Sequence, residues 1–109
     1  MTQWVPACKA ADVPEGTAKA VDLGGEPVCV VRSNGTFYAI RDVCSHADVA
    51  LSEGEVDDGT IECWLHGSTF DLRTGKPTTL PAFEPVAVYS VRVEGDDVLV
   101  DVHTPLNGP

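Results

Sequence analysis

An all-β fold is what this 109-residue sequence predicts. Three observations carry the prediction. Short runs rich in β-branched residues recur at close spacing, turn signals separate them, and no stretch of ten or more residues shows a 3.6-residue apolar period. A sandwich or a small barrel of short strands meets all three conditions.

The elements follow in chain order. TAKAVDL (Thr17 to Leu23) and EPVCVVR (Glu26 to Arg32) read as strands separated by Gly24-Gly25, a turn signal. Asn34-Gly35, in SNGT, tolerates the positive φ of a tight hairpin, and FYAI follows as the returning strand. ADVALSEG has room for a short helical turn and nothing longer. VYSVRV and VLVDV flank EGDD as a last hairpin, and HTPLNGP reads as a loose tail. Between the hairpins, from Asp42 to about Pro85, the chain is richer in Gly, Pro and Thr and poorer in alternation. That texture suits loops held in place by something other than strand pairing.

The length allows one domain, residues 1–109, with a single hydrophobic core. With 43% hydrophobic and 22% charged residues, the chain is composed like a globular protein and unlike a disordered one. The opening MTQWVPACKAADVPEG has no basic start followed by an apolar run, and the apolar stretch PVCVV is far too short to span a membrane. A cytoplasmic protein is expected, and in that reducing setting four cysteines serve as thiols, metal ligands or catalytic groups before they serve as disulfides. Seventeen acidic residues against seven basic ones give a formal charge of −10, which repels phosphate backbones and makes nucleic acid a poor partner. A basic docking face would be attracted, although the same acidity also serves plain solubility.

Both close Cys/His pairs lie in the loop-rich middle: Cys44-x-His46 and Cys63-x-x-His66, with sixteen residues between His46 and Cys63. Two soft thiolates and two imidazoles on two short loops make a ready metal site. A tetrahedral zinc fits that ligand set, and so does a two-iron, two-sulfide cluster with two Cys on one iron and two His on the other. Zinc fingers usually draw each pair from like residues, whereas here each loop supplies one Cys and one His. Loops lying side by side along a two-iron cluster reach both irons, so the mixed supply favours iron.

This pattern resembles the Rieske [2Fe-2S] motif: CxH, sixteen residues, then CxxHG, continued by LSEG (Leu51 to Gly54), HGSTFDLRTGK (His66 to Lys76) and LPA (Leu80 to Ala82). The similarity covers nearly the whole chain and is strongest to the small Rieske-type ferredoxins of multicomponent aromatic-ring oxygenases. It implies a Rieske-type fold, an antiparallel β-sandwich base carrying a small cluster-binding subdomain of loops and short strands at about 42–85. It implies that Cys44 and Cys63 bind the inner iron and His46 and His66 the outer, more exposed one. The added electron then sits on the histidine-bound iron, since neutral imidazoles stabilise Fe(II) better than thiolates do. Gly67 lets the backbone turn close under the cluster, and Pro81, in LPAF, stiffens a third loop that covers it, unless it is an ordinary turn proline.

Departures from the family pattern narrow the role. Respiratory and photosynthetic members join the two loops by a disulfide; the corresponding positions here are Val49 and Leu65, which cannot form one. High-potential members aim a Ser and a Tyr hydroxyl at the cluster, each stabilising the reduced state. Ser68 keeps the first, but Phe70 has no hydroxyl, so the potential belongs toward the lower end of the Rieske range of about −150 to +300 mV.

Cys8 and Cys29 sit in or beside apolar strands and read as structural thiols. His103 has no Cys or His neighbour and reads as an exposed tail residue. Trp64 shields the cluster, forms part of a docking face or packs under its loop. Asp48, Glu53, Glu55, Asp57 and Asp58 form an acidic run between the ligand pairs, by default a solvated loop, though one placed to steer a basic partner. No GxSxG, HExxH or phosphate-cradling glycine loop is present, so no catalytic residue is expected and the chain is not an enzyme in its own right.

The reading is a one-electron carrier between a flavin-dependent ferredoxin reductase and a terminal non-haem iron oxygenase, docking transiently with each and with no membrane. Its rivals are a Rieske-like small subunit of a nitrite-reductase-type complex and a zinc-stabilised binding module.

Overall fold

The computed structural model describes residues 4–44, 49–65, 67–78, 84–102 and 105–106. Among the described residues nine strands carry the fold: β1 (Val5–Lys9), β2 (Thr17–Leu23), β3 (Glu26–Ser33), β4 (Thr36–Arg41), β5 (Val56–Asp57), β6 (Thr60–Glu62), β7 (Thr69–Asp71), β8 (Val88–Glu94) and β9 (Asp97–Asp101). Every paired neighbour is antiparallel, in one six-stranded sheet of order β1-β9-β8-β4-β3-β2 and one three-stranded sheet of order β5-β6-β7.

The large sheet is two three-stranded halves joined where Ala39 pairs with Tyr89 and Ile40 with Val88. It folds over until its edge strands β1 and β2 approach each other. Between the halves lies a core of Val13, Leu23, Val28, Val30, Ala39, Tyr89, Val98 and Val100. The small sheet is inserted between β4 and β8 and closes a second core against the outer face of β3 and β4. There Cys29, Val31 and Ile40 meet Leu51, Ile61, Phe70, Leu72 and Val86.

β3 explains why its sequence does not alternate. Val28 and Val30 face one core, and Cys29 and Val31 face the other, so four successive residues are fully buried. A strand covered on both faces reads as a continuous apolar run. Burial, more than charge pairing, holds the insert in place. Truncating a buried Phe such as Phe70 costs about 3–5 kcal/mol. The ion pairs Lys9–Asp97, Arg41–Glu26, Arg73–Asp71 and Arg92–Glu94 are on the surface, where each contributes about 0–1 kcal/mol.

Several elements depart from the sequence expectation. β1, placed by the sequence only as an apolar strand at or beside Cys8, is irregular: Pro6 interrupts it, and the register slips between Pro6 and Cys8. That proline is tolerated because β1 is an edge strand. The Asp58-Gly59 turn, with φ of 43° and 79°, makes β5 and β6 a hairpin as tight as the one at Asn34-Gly35. The helical turn expected in ADVALSEG is a single 3-10 turn, Leu51–Glu53. The tail is not wholly loose, because the Leu106 amide donates to the Val88 carbonyl at 2.7 Å. The expectations for Asp48, for Pro81 and its loop, and for His103 fall outside the described residues.

Candidate metal centre

The chain enters and leaves the insert side by side. The Arg41 amide donates to Ala87 O at 2.9 Å, and the next amide, that of Asp42, donates to Pro27 O at 3.0 Å. Asp42 is buried, and its carboxylate accepts two hydrogen bonds of 2.7 Å from Ser52, one from the amide and one from the hydroxyl. A buried carboxylate so paired fixes the 3-10 turn against the segment that leads into Cys44.

Two loops of like construction follow. The Cys44 amide donates to Val49 O at 2.9 Å, and the Cys63 amide donates to Ser68 O at 2.6 Å. Each cysteine thus closes a loop on the carbonyl five residues ahead, and each loop contains one of the two histidines expected as ligands. The second loop connects β6 to β7, with Glu62 opposite Thr69, and is tightened by Gly67 N–H donating to Cys63 O at 2.9 Å. Gly67 has φ +76°, and a Cβ there would meet no protein atom within 4 Å. The backbone conformation, not crowding by protein atoms, is what calls for glycine at that point.

Strand periodicity sets the depth of the thiols. Ile61 and Cys63 are two apart on the inward face of β6 and its extension, and both are fully buried. Cys44 is 3% exposed in the same core. Both cysteines therefore sit at the buried feet of their loops. His46 and His66 lie outside the described residues, and among those residues no third His, Cys, Asp or Glu joins the two thiols in a metal-holding group.

Ser68 and Phe70 are fully buried on the return strand side of the second loop. Trp64 is 50% exposed, which rules out plain packing under its loop. None of the four cysteines, all among the described residues, is joined in a disulfide. Burial, then the Asp42 charge, pushes the Cys29 thiol well up, and burial, then Asp12, raises Cys8. Both are protonated packing groups. Glu53, Glu55, Asp57 and Asp58 are exposed.

Sequence reasoning passed over Asp42, Ser52 and the role of Gly54. A Cβ on Gly54 would overlap the Glu62 carbonyl oxygen and lie 3.3 Å from that of Leu51. The glycine thus lets the 3-10 turn close on the strand that carries Cys63. The signal was available in LSEG, where a glycine follows a short turn, but the clash comes from a residue eight positions away.

A family model described as Rieske [2Fe-2S] domain matches residues 3–90. The chain is 46% identical over 95 residues to the ferredoxin component of biphenyl 2,3-dioxygenase from Rhodococcus jostii, covering 87% of this chain and 89% of that protein. Among solved structures it resembles the ferredoxin of carbazole 1,9a-dioxygenase from Nocardioides aromaticivorans, with TM-score 0.87 and 39% identity over 92% of this chain and 98% of the other. It also resembles a chain in a complex of reduced oxygenase and oxidized ferredoxin of carbazole 1,9a-dioxygenase, with TM-score 0.85 and 37% identity over 93% and 94% of the two chains.

Proposed function

The chain belongs to the Rieske [2Fe-2S] domain family, and from that premise we propose that it is the electron-carrier ferredoxin of a dioxygenase system. The observation that carries the proposal is the match, along nearly its full length, to dioxygenase ferredoxin components. It is an electron-transfer component, not a catalyst, and its cofactor is a Rieske-type [2Fe-2S] cluster.

Cys44, Cys63, His46 and His66 are the ligands in this reading. The described half of the site fits the group: two thiols at the buried feet of two similarly closed loops, within one apolar core. Two thiolates there carry −2, and a cluster core of charge 2+ offsets it. When bound, the cluster supplies reversible one-electron redox chemistry. The chain supplies the rest. Hydrogen bonds from the two cysteine amides close the loops, Asp42 and Ser52 fix the approach to the first, and Leu51, Ile61, Phe70 and Leu72 keep water from the cysteine side. In this reading His46 and His66 would hold the iron that takes up the added electron.

The finer assignments belong to the same proposal. The acceptor is a terminal non-haem iron oxygenase, the donor a flavin-dependent reductase, and both dock transiently. The chain works as one domain with a cluster-binding subdomain at about 42–85. Cysteines without a disulfide suit the cytoplasm, and no helix among the described residues is long and apolar enough to cross a membrane.

Visible absorption and EPR before and after dithionite test the reading. A red-brown protein that bleaches to a rhombic signal with average g below the free-electron value is the expected result, and His66→Cys should change both spectrum and potential. A colourless protein holding one zinc would overturn the proposal, and an unaltered His66→Cys spectrum would remove His66 from the ligand set.

A further inference from the structure

Trp64 and Leu65 are two adjacent large apolar side chains held in water, 50% and 44% exposed, at the head of the second loop. Local geometry puts them there. Alternation along β6 buries Ile61 and turns Glu62 outward, and Trp64 and Leu65 stand exposed in the turn that follows Cys63. The hydrogen bonds from Cys63 N–H to Ser68 O and from Gly67 N–H to Cys63 O close this loop at its base, and Trp64 stays half exposed on it. Val93 and Leu106, the other exposed large apolar residues described, stand singly in sequence, and single exposed residues of this kind are ordinary. An outward Trp beside a Leu is the type of pair that anchors a protein interface.

Charge surrounds this pair unevenly. Residues 42–85 contain nine of the 17 acidic residues but only two of the seven basic ones, Arg73 and Lys76. Arg73 already lies 4.0 Å from Asp71. Glu62 is exposed next to Cys63, and its amide donates to Glu55 O at 2.8 Å, which brings Glu55 and the nearby Glu53, both exposed, alongside β6. In the remainder of the chain Lys9, Arg41 and Arg92 are paired with acidic neighbours, and five basic residues stand against eight acidic ones. Negative potential therefore concentrates on the half of the molecule that carries Trp64.

We propose that Trp64, with Leu65, is the apolar anchor of the electron-transfer face, and that Glu53, Glu55 and Glu62 form its acidic rim. The partner that fits is a redox protein presenting an apolar recess ringed by Lys and Arg. The proposal rests on the electron-carrier reading and says what the docking face of the terminal oxygenase presents. Trp64 adjoins Cys63 and stands two residues before His66, so seating the indole in the recess brings the partner up to the ligand loop itself.

The test uses the reduced holoprotein and, as acceptor, mitochondrial cytochrome c, a basic protein whose exposed haem edge is ringed by lysines. Stopped-flow absorbance gives the second-order rate constant at several salt concentrations. The wild-type rate should fall steeply as salt rises, as for attraction between opposite charges. Trp64→Ala should slow transfer about tenfold or more, with the EPR signal and potential unchanged. Leu65→Ala should act in the same direction, and Trp64→Phe should recover most of the rate. The triple variant E53Q/E55Q/E62Q should lose rate at low salt and show a flatter salt dependence. Transfer at the wild-type rate by Trp64→Ala with its cluster intact, or a wild-type rate that rises with salt, would overturn the docking face alone. A wild-type protein lacking the cluster spectrum would overturn the carrier reading beneath it.

Discussion

Gly54 and Gly67 are required for opposite physical reasons. Gly54 has an ordinary φ of −87°, which alanine adopts freely, but its Cβ would fall into the Glu62 carbonyl. Gly67 has a φ of +76°, where an L-residue is strained by about 1–2 kcal/mol. Gly54→Ala should therefore displace β6 at the residue before Cys63. It should lower both the stability, by about 1–3 kcal/mol as in other overpacked sites, and the iron content of the purified protein. Gly67→Ala should cost less stability than Gly54→Ala at its larger values. Urea unfolding with iron analysis checks both, and a Gly54→Ala protein of wild-type stability and iron content would show that the 3-10 turn gives way without cost.

At the scale of the element, β3 is the shared wall of two cores, and Cys29 and Val31 are its buried residues on the side of the insert. Folding raises the Cys29 thiol above its ordinary 9.0, through burial first and then the Asp42 charge. The unfolded chain ionises this thiol at lower pH than the native protein does. Its contribution to stability is thus fully present below about pH 9 and is lost as pH climbs toward the folded-state value. Between about pH 9 and 10, below the ordinary 10.0 of Tyr89, which burial also raises, unfolding free energy should fall with pH in the wild type. It should fall less in Cys29→Val, a swap of similar volume. Equal slopes for the two proteins in urea titrations would mean that Cys29 does not carry this dependence.

At the scale of the whole molecule, a charge of −10 on 109 residues opposes compactness. Salt screens that repulsion, and it also weakens the surface ion pairs, but those contribute only about 0–1 kcal/mol each. The repulsion should win, so the melting temperature of the holoprotein should rise between low salt and about 0.5 M NaCl. A gain of about 1 kcal/mol corresponds to roughly 4 °C or more for a domain of this size. A flat or falling melting temperature in calorimetry would mean that the acidic residues are spaced too widely to strain the fold.

The sequence by itself determined what is local or chemical. β-Branched runs with Gly-Gly, Asn-Gly and EGDD turns gave β2, β3, β4, β8 and β9 nearly to the residue, because strand propensity and hairpin geometry act over a few neighbours. The Cys/His spacing singled out two loops as the proposed ligand loops, because a metal site needs donors of fixed type at fixed reach. Other features depended on contacts distant in the chain. β1 appears as a strand only because β9 pairs with it despite Pro6. β5 to β7 are two or three residues each, too short for a periodic signal, and exist because β6 lies between the other two and rests on the second core. The bonds from Ser52 to Asp42 and the approach of Gly54 to Glu62 join residues eight to ten positions apart. Nothing in their local sequence distinguishes a buried, paired Asp42 from a solvated one. Tertiary structure decided those points because burial and close approach belong to the packed chain, not to any one stretch of it.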